Sequence, residues 1–208
     1  MQGERRDAKF LEVRDVREFF REALHLALGH QHLTVRDHTE HYVVNLLAMF
    51  ARTDALFDPA AEGRARVKPL ALLLVEALEA PDDRQRYRIL QRLGDVALFV
   101  AGFLAGGMAR RSVDVDYHIA MGGRAYGALA QAPHHGPQRA LASVFAELED
   151  KFQPLVDVLS EIGDGASADA PRDLLRLYEI WQKTGSRRAH RLLVRHGVQP
   201  LVAGTRSH

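Results

Sequence analysis

Histidine is the residue type whose placement in this sequence most directly suggests chemistry. Five of the eleven histidines, His25, His30, His32, His38 and His41, fall within seventeen residues. Neutral imidazole suits zinc, iron or manganese, and Asp37 and Glu40 supply carboxylates alongside. His38 and His41 are three apart, so on a helix their rings share one face. A carboxylate-bridged two-metal bundle requires Glu-x-x-His on two helices and further Glu from two others. Only His38-Thr39-Glu40-His41 approaches that pattern, and its glutamate adjoins the second histidine instead of standing three before it. Nor is this text the His-Glu-x-x-His of zinc peptidases. His38, His41, His30, His32 and, further along, His118 are therefore the metal candidates. The plainer expectation, which we favour, is a set of polar surface histidines at a helix start.

Asp114, Asp116 and His118 form a second group. Alternating acids at a helix start cap its free N–H groups and face its positive end, which accounts for them without catalysis. Asp95 is the third anomaly, a carboxylate inside the apolar run from Leu93 to Phe103. Buried there, it requires a partner such as Arg92, Arg124 or an amide, and a satisfied structural pair is expected over a catalytic acid. The fourth group is basic. Arg187, Arg191 and Arg195 are four apart with Arg188 beside them, and from Lys183 to His208 there are six Lys/Arg and no acid. With the preceding helix this stripe has the outline of a helix-turn-helix reader. Few Asn, Gln, Ser or Thr accompany the arginines, so an acidic partner protein is expected ahead of nucleic acid.

Other chemistries lack their residues. No cysteine occurs, which removes disulfides, thiolate metal sites and a thiol nucleophile and suits a reducing cytoplasm. The glycine pairs Gly106-Gly107 and Gly122-Gly123 have no strand–turn–helix context, and neither Gly-Lys-Ser/Thr nor Gly-x-Ser-x-Gly appears. A net charge of +1 gives no global attraction to nucleic acid or anionic membrane. The charged start, MQGERRDAKF, is unlike a signal peptide. The most apolar window, Val96 to Met108, is too short to span a bilayer, so a cytoplasmic protein is expected.

These groups have to be positioned by helices, because no stretch keeps a strand-like alternation. Apolar spacing predicts a first helix from Leu11 to Leu28, stopping at Gly29, and a second opened by Thr34, with Tyr42, Val43, Leu46, Leu47 and Phe50 inside. A loop follows at 58–67. The segment PLALLLVEALEA after Lys68 is apolar nearly all round and is expected to be buried on most sides. From Gln138 to Ile162 one apolar pattern contains Pro154, which predicts a division near Gln153. The last two helices, Arg172 to Lys183 and Ser186 to His196, meet at Thr184-Gly185, and the first of them is expected to bury Leu174, Leu177, Tyr178 and Trp181.

The organising stretch is Tyr87 to Leu129, two helical patterns lined with small residues. Gly94, Leu98, Gly102 and Gly106 fall four apart, as do Gly123 and Gly127, with Ala97, Ala101 and Ala105 in a neighbouring row. Each glycine costs a helix up to about 1 kcal/mol relative to Ala, so close approach by another helix is the expected return. The fold expected is a single all-α domain over 1–208, a bundle of about seven or eight helices around this Gly/Ala-rich central pair, with 1–9 and 198–208 loose. The grooves also suggest a homodimer, or packing within one subunit.

Four phrases carry a resemblance: Gln91-Arg92-Leu93-Gly94-Asp95-Val96-Ala97-Leu98-Phe99, Asp114 to Gly122, Tyr42 to Leu47, and Leu174 to Tyr178. From about Phe19 to Arg195 the chain resembles a family of uncharacterised helical proteins from proteobacteria, which implies a bacterial, cytosolic, helical protein. The resemblance brings no activity or ligand, so no functional residue is carried over. The function expected from the sequence is a non-enzymatic helical interaction protein. A metal-binding helical protein is the alternative, and weak nucleic-acid binding through the C-terminal helix the third.

Overall fold

The computed structural model describes residues 3–51, 68–104, 114–133, 138–165 and 174–195. They form α1 (Gly3–Gln31), α2 (Asp37–Phe50), α3 (Leu70–Leu78), α4 (Asp83–Phe99), a π-helical turn (Val100–Leu104), α5 (Val115–Gln131), α6 (Gln138–Asp150), α7 (Phe152–Gly165), α8 (Leu174–Thr184) and α9 (Arg187–Arg195). The all-α bundle is therefore observed, with no strand among the described residues. The loop at 58–67, Ala105, Gly106 and the end at 198–208 lie outside them, as do the side chains of Leu174 and Leu177.

Helix α1 begins at Gly3, before the expected start at Leu11, so most of the stretch expected to be loose at the N-terminus is helical. It also runs past Gly29. The stop is His32, whose φ of 52° is left-handed. The Leu33 N–H bonds to the Leu28 carbonyl at 3.0 Å and the His32 N–H to that of Gly29 at 3.1 Å. That pair of bonds is the Schellman termination, normally built on glycine. A side chain in this conformation costs roughly 1 kcal/mol, so His32→Gly is expected to stabilise the protein by about that amount in urea unfolding. An unchanged or lower midpoint would contradict the assigned turn.

The start of α2 also differs from expectation. Thr34 precedes the helix, Asp37 is its first residue, and the N-cap position, Arg36, has no side-chain cap. The capping group comes from α6. Glu147 Oε2 accepts from the Arg36 N–H at 3.1 Å and from the Thr39 hydroxyl at 2.6 Å. Lys151 ties the corner, donating to Glu147 at 2.7 Å and to the Thr34 carbonyl at 2.7 Å. Burial pushes the Glu147 carboxyl up, but these three donors more than offset it and hold it below the usual range. Thr34 does not open the helix; a distant carboxylate caps it.

The central pair is α4 and α5, and its glycines are filled from within the chain. A Cβ on Gly94 would stand 2.6 Å from the Tyr126 ring, and one on Gly102 would stand 2.6 Å from Leu159 Cβ. At Gly122 it would meet Ala97 Cβ at 2.8 Å and overlap the Phe152 ring, and at Gly163 it would overlap the Phe103 carbonyl oxygen. Helix α7 thus crosses the π turn almost backbone to backbone, and the Ser160 hydroxyl donates to the Gly102 carbonyl at 3.0 Å. Because tertiary neighbours within one chain occupy these grooves, the grooves give no argument for a homodimer.

Pro154 divides the sixth pattern as expected. Helices α6 and α7 separate at Lys151, placing the proline in the first turn of α7, where its missing N–H is harmless. Gly185, at φ 67°, makes the turn between α8 and α9. Ser186 then caps α9, accepting from the Ala189 N–H at 2.9 Å. Tyr178 and Trp181 are only partly buried.

Helix α3 corrects another expectation. Leu70, Leu73 and Ala77 are buried against α4, but Leu72, Val75 and Leu78 are 51%, 46% and 67% exposed. The apolar text is not a buried helix. It has one face in the core and a second apolar face in solvent.

Candidate functional site

Two polar features lie on α4, one inside the fold and one on its surface. The inner one is Asp95, 6% exposed. Its Oδ1 accepts from the Tyr42 hydroxyl of α2 and the Tyr126 hydroxyl of α5, both at 2.7 Å. Gln91, one turn earlier on α4, donates to the Tyr42 oxygen at 3.0 Å. Phe145 of α6 closes the cluster, stacked on Tyr126 at 5.6 Å and edge-on to Tyr42. Burial raises the Asp95 carboxyl to about 6, against the opposing pull of the two hydroxyls and the Arg92 charge. Both phenols are raised, first by burial and then by the Asp95 charge, so they remain donors. The partners differ from those expected: Arg92 contributes only charge, Arg124 is exposed, and the amide binds Tyr42 instead. A carboxylate held by two phenols inside an aromatic shell ties three helices together, and it can take up a proton.

The outer feature is a groove of about 670 Å³ between α3 and α4. Arg84, Arg88 and Arg92 line it from α4 at intervals of four, with Gln85 and Ile89 between them and Leu73 and Glu76 opposite. Spacing of four puts the arginines on one face, a repeat of about 6 Å per step. Its two acids are already engaged. Glu76 pairs with Lys68, and Asp82 caps α4 by accepting from the Gln85 N–H at 2.7 Å. Among the described residues Arg84 and Arg88 have no hydrogen-bond or ion-pair partner, while Arg92 lies 5.0 Å over the Phe50 ring. The groove therefore keeps a positive excess, and Leu72, exposed and four residues before Glu76 on α3, shares that residue's face.

No family model, curated protein or solved structure matches this chain.

The histidines do not converge. His32, His38 and His41 are exposed, and His25 lies 3.9 Å from Glu40. His30 Nδ1 is 2.7 Å from Glu161 Oε1 on α7, whose other oxygen accepts from Gln31 at 2.5 Å. His118 Nδ1 turns back to the Asp114 carbonyl at 2.8 Å, far from the others in the sequence and bonded locally. No group of three or more His, Asp or Glu side chains among the described residues is arranged to hold a metal ion. Asp114 occupies the N-cap position of α5 without a side-chain cap bond; it and Asp116 instead flank Lys183 at 3.7 and 3.6 Å.

The basic face of α9 is partly consumed. Arg188 is bonded to Asp164 and Arg191 to Gln31, which leaves Arg187 and Arg195 exposed beside them. Asp157 of α7 anchors this helix, accepting from the Ser186 hydroxyl at 2.7 Å and the Arg188 N–H at 3.3 Å. Leu192 and Leu193 of α9 are buried.

Proposed function

We propose that this chain is a non-enzymatic interaction protein that works in the cytoplasm and takes its partner on the α3–α4 face. The observation that carries this is the exposed row Leu72, Val75 and Leu78, three large apolar side chains spaced three apart on one helix. Single exposed apolar residues are ordinary, but a contiguous apolar row rimmed by charge marks a contact surface. Phe19 and Leu26 on α1 are also exposed, yet Glu22 stands between them. The other chemically suggestive groups, Asp95, Glu147, Asp157 and His30, are engaged in bonds within the chain. A chain without cysteine suits the reducing compartment proposed.

A photo-crosslinking side chain placed at Val75 tests this in an extract of the host cell. Discrete adducts are expected from that position, none from exposed Ala120 on α5, and none after Leu72→Glu with Leu78→Glu. Equal labelling from both positions, or none from Val75, would overturn the assignment. An adduct of twice the chain mass would make the partner a second copy.

A further inference from the structure

We propose that the α3–α4 groove receives an acidic amphipathic helix of a partner protein, whose carboxylates pair with Arg84, Arg88 and Arg92. This rests on the α3–α4 face being the contact surface, and it adds the chemistry of the partner. Three observations converge. The arginines follow one another one turn apart over about 12 Å of helix, and a partner helix bearing Glu at every fourth residue repeats at the same roughly 6 Å rise. Planar guanidinium groups bind carboxylates through paired hydrogen bonds, so this register is read as geometry as well as charge.

The positions of Arg84 and Arg88, unlike that of Arg92 over Phe50, also have no explanation in the stability of α4. Arg84 stands in the first turn, where the helix dipole favours anions and disfavours a cation. Among the described residues neither Arg84 nor Arg88 has a carboxylate partner, because Glu76 is taken by Lys68 and Asp82 by the helix end. Charge complementarity therefore selects an acidic occupant.

The groove is finally two-sided. Leu73 and Ile89 supply its apolar lining alongside the arginines, and exposed Leu72 shares the face of Glu76 one turn away on α3. A bare polyanion would leave that apolar side unused. An amphipathic helix covers both, with its apolar residues on Leu72, Leu73 and Ile89 and its acids on the arginines.

The probe is a fluorescein-labelled designed peptide carrying Glu at every fourth position beside a leucine stripe, titrated against the full chain and followed by anisotropy. A scrambled peptide of identical composition and a short DNA duplex are the comparisons. Binding to the designed peptide is expected to be about tenfold tighter than to the scrambled one, and to fall about tenfold or more in Arg84→Glu/Arg88→Glu. Leu72→Ser is expected to weaken it as well, which charge attraction alone would not produce. The substituted side chains are exposed, and thermal melts confirm that each variant is folded. Equal affinity for the scrambled peptide or the duplex would reduce the groove to a general polyanion surface and overturn the proposal. So would no binding at low salt, or full binding by the charge-reversed variant. Either failure leaves crosslinking from Val75 standing, whereas loss of that crosslinking removes the contact surface itself. A crosslinked adduct of twice the chain mass would also overturn the acidic-helix partner.

Discussion

Gly102→Leu is expected to destabilise the protein by about 3 kcal/mol, a large fraction of the marginal stability of a typical domain. The added Cβ would start 2.6 Å from Leu159 Cβ, before the rest of the side chain is placed. Relief by a rotamer change is not open, because the contact is between the first side-chain carbons of two helices. Helix α7 would have to move, and it is pinned on either side. Ser160 is bonded to the Gly102 carbonyl, and Gly163 lies directly on the Phe103 carbonyl. Gly123 is the control, since a Cβ there would meet only Phe152 Cβ at 4.0 Å. Gly123→Ala is accordingly expected to gain up to about 1 kcal/mol from helix propensity. Urea unfolding followed by circular dichroism at 222 nm measures both. A Gly102→Leu midpoint equal to that of the wild type would show that α7 does not cross the π turn as described.

Asp95 gives the second large effect, and it depends on pH. Burial raises its carboxyl from 3.8 to about 6, so between those values the folded chain holds a proton that the unfolded chain has released. Its contribution to stability is therefore fully present below about pH 4 and is lost as the pH rises through 6. A difference of about two pKa units corresponds to roughly 3 kcal/mol. Asp95→Asn removes this titration while keeping an oxygen for the two phenols. The wild-type stability relative to Asp95→Asn is expected to fall by about 3 kcal/mol from pH 4 to pH 8. The comparison with the variant matters because Glu147, held below its usual range, titrates in the opposite sense. Parallel pH profiles for the two proteins would contradict the environment assigned to Asp95.

The sequence made the helices legible because their apolar spacing is local, and the same holds for the proline division and the Gly185 turn. The crowded glycines of α4 and α5 were legible as sites of close approach, though not as to which helix approaches. Neighbours such as Leu159 and Tyr126 lie far along the chain from the glycines they cover, and no spacing rule connects them. The cap of α2 was missed for the same reason, since Glu147 lies 111 residues from Arg36. Asp95 announced itself by interrupting an apolar run. Its partners did not, because Tyr42 read only as an inward aromatic of the second helix and nothing in the spacing singles out Tyr126.

The groove teaches a different lesson. Arg84, Arg88 and Arg92 have the same spacing of four as Arg187, Arg191 and Arg195, and the signal was available in both places. On α9 it stood out because no acids interrupt it, whereas on α4 it was diluted by Asp82, Asp83 and the apolar residues between. The structure reverses their standing by giving Arg188 and Arg191 partners within the chain and leaving Arg84 and Arg88 facing a groove. Helix α3 was misjudged because hydropathy does not tell a face covered by the protein's own core from one left in solvent.

The most direct test of the contact surface is amide hydrogen exchange on the full chain, with and without a saturating concentration of the acidic amphipathic peptide. Added protection is expected across Leu70–Leu78 and from Asp83 to Arg92, with Arg187–Arg195 unchanged. Protection confined to Arg187–Arg195 would contradict it and move the binding surface to α9, and protection spread evenly over the basic surface would contradict it as well.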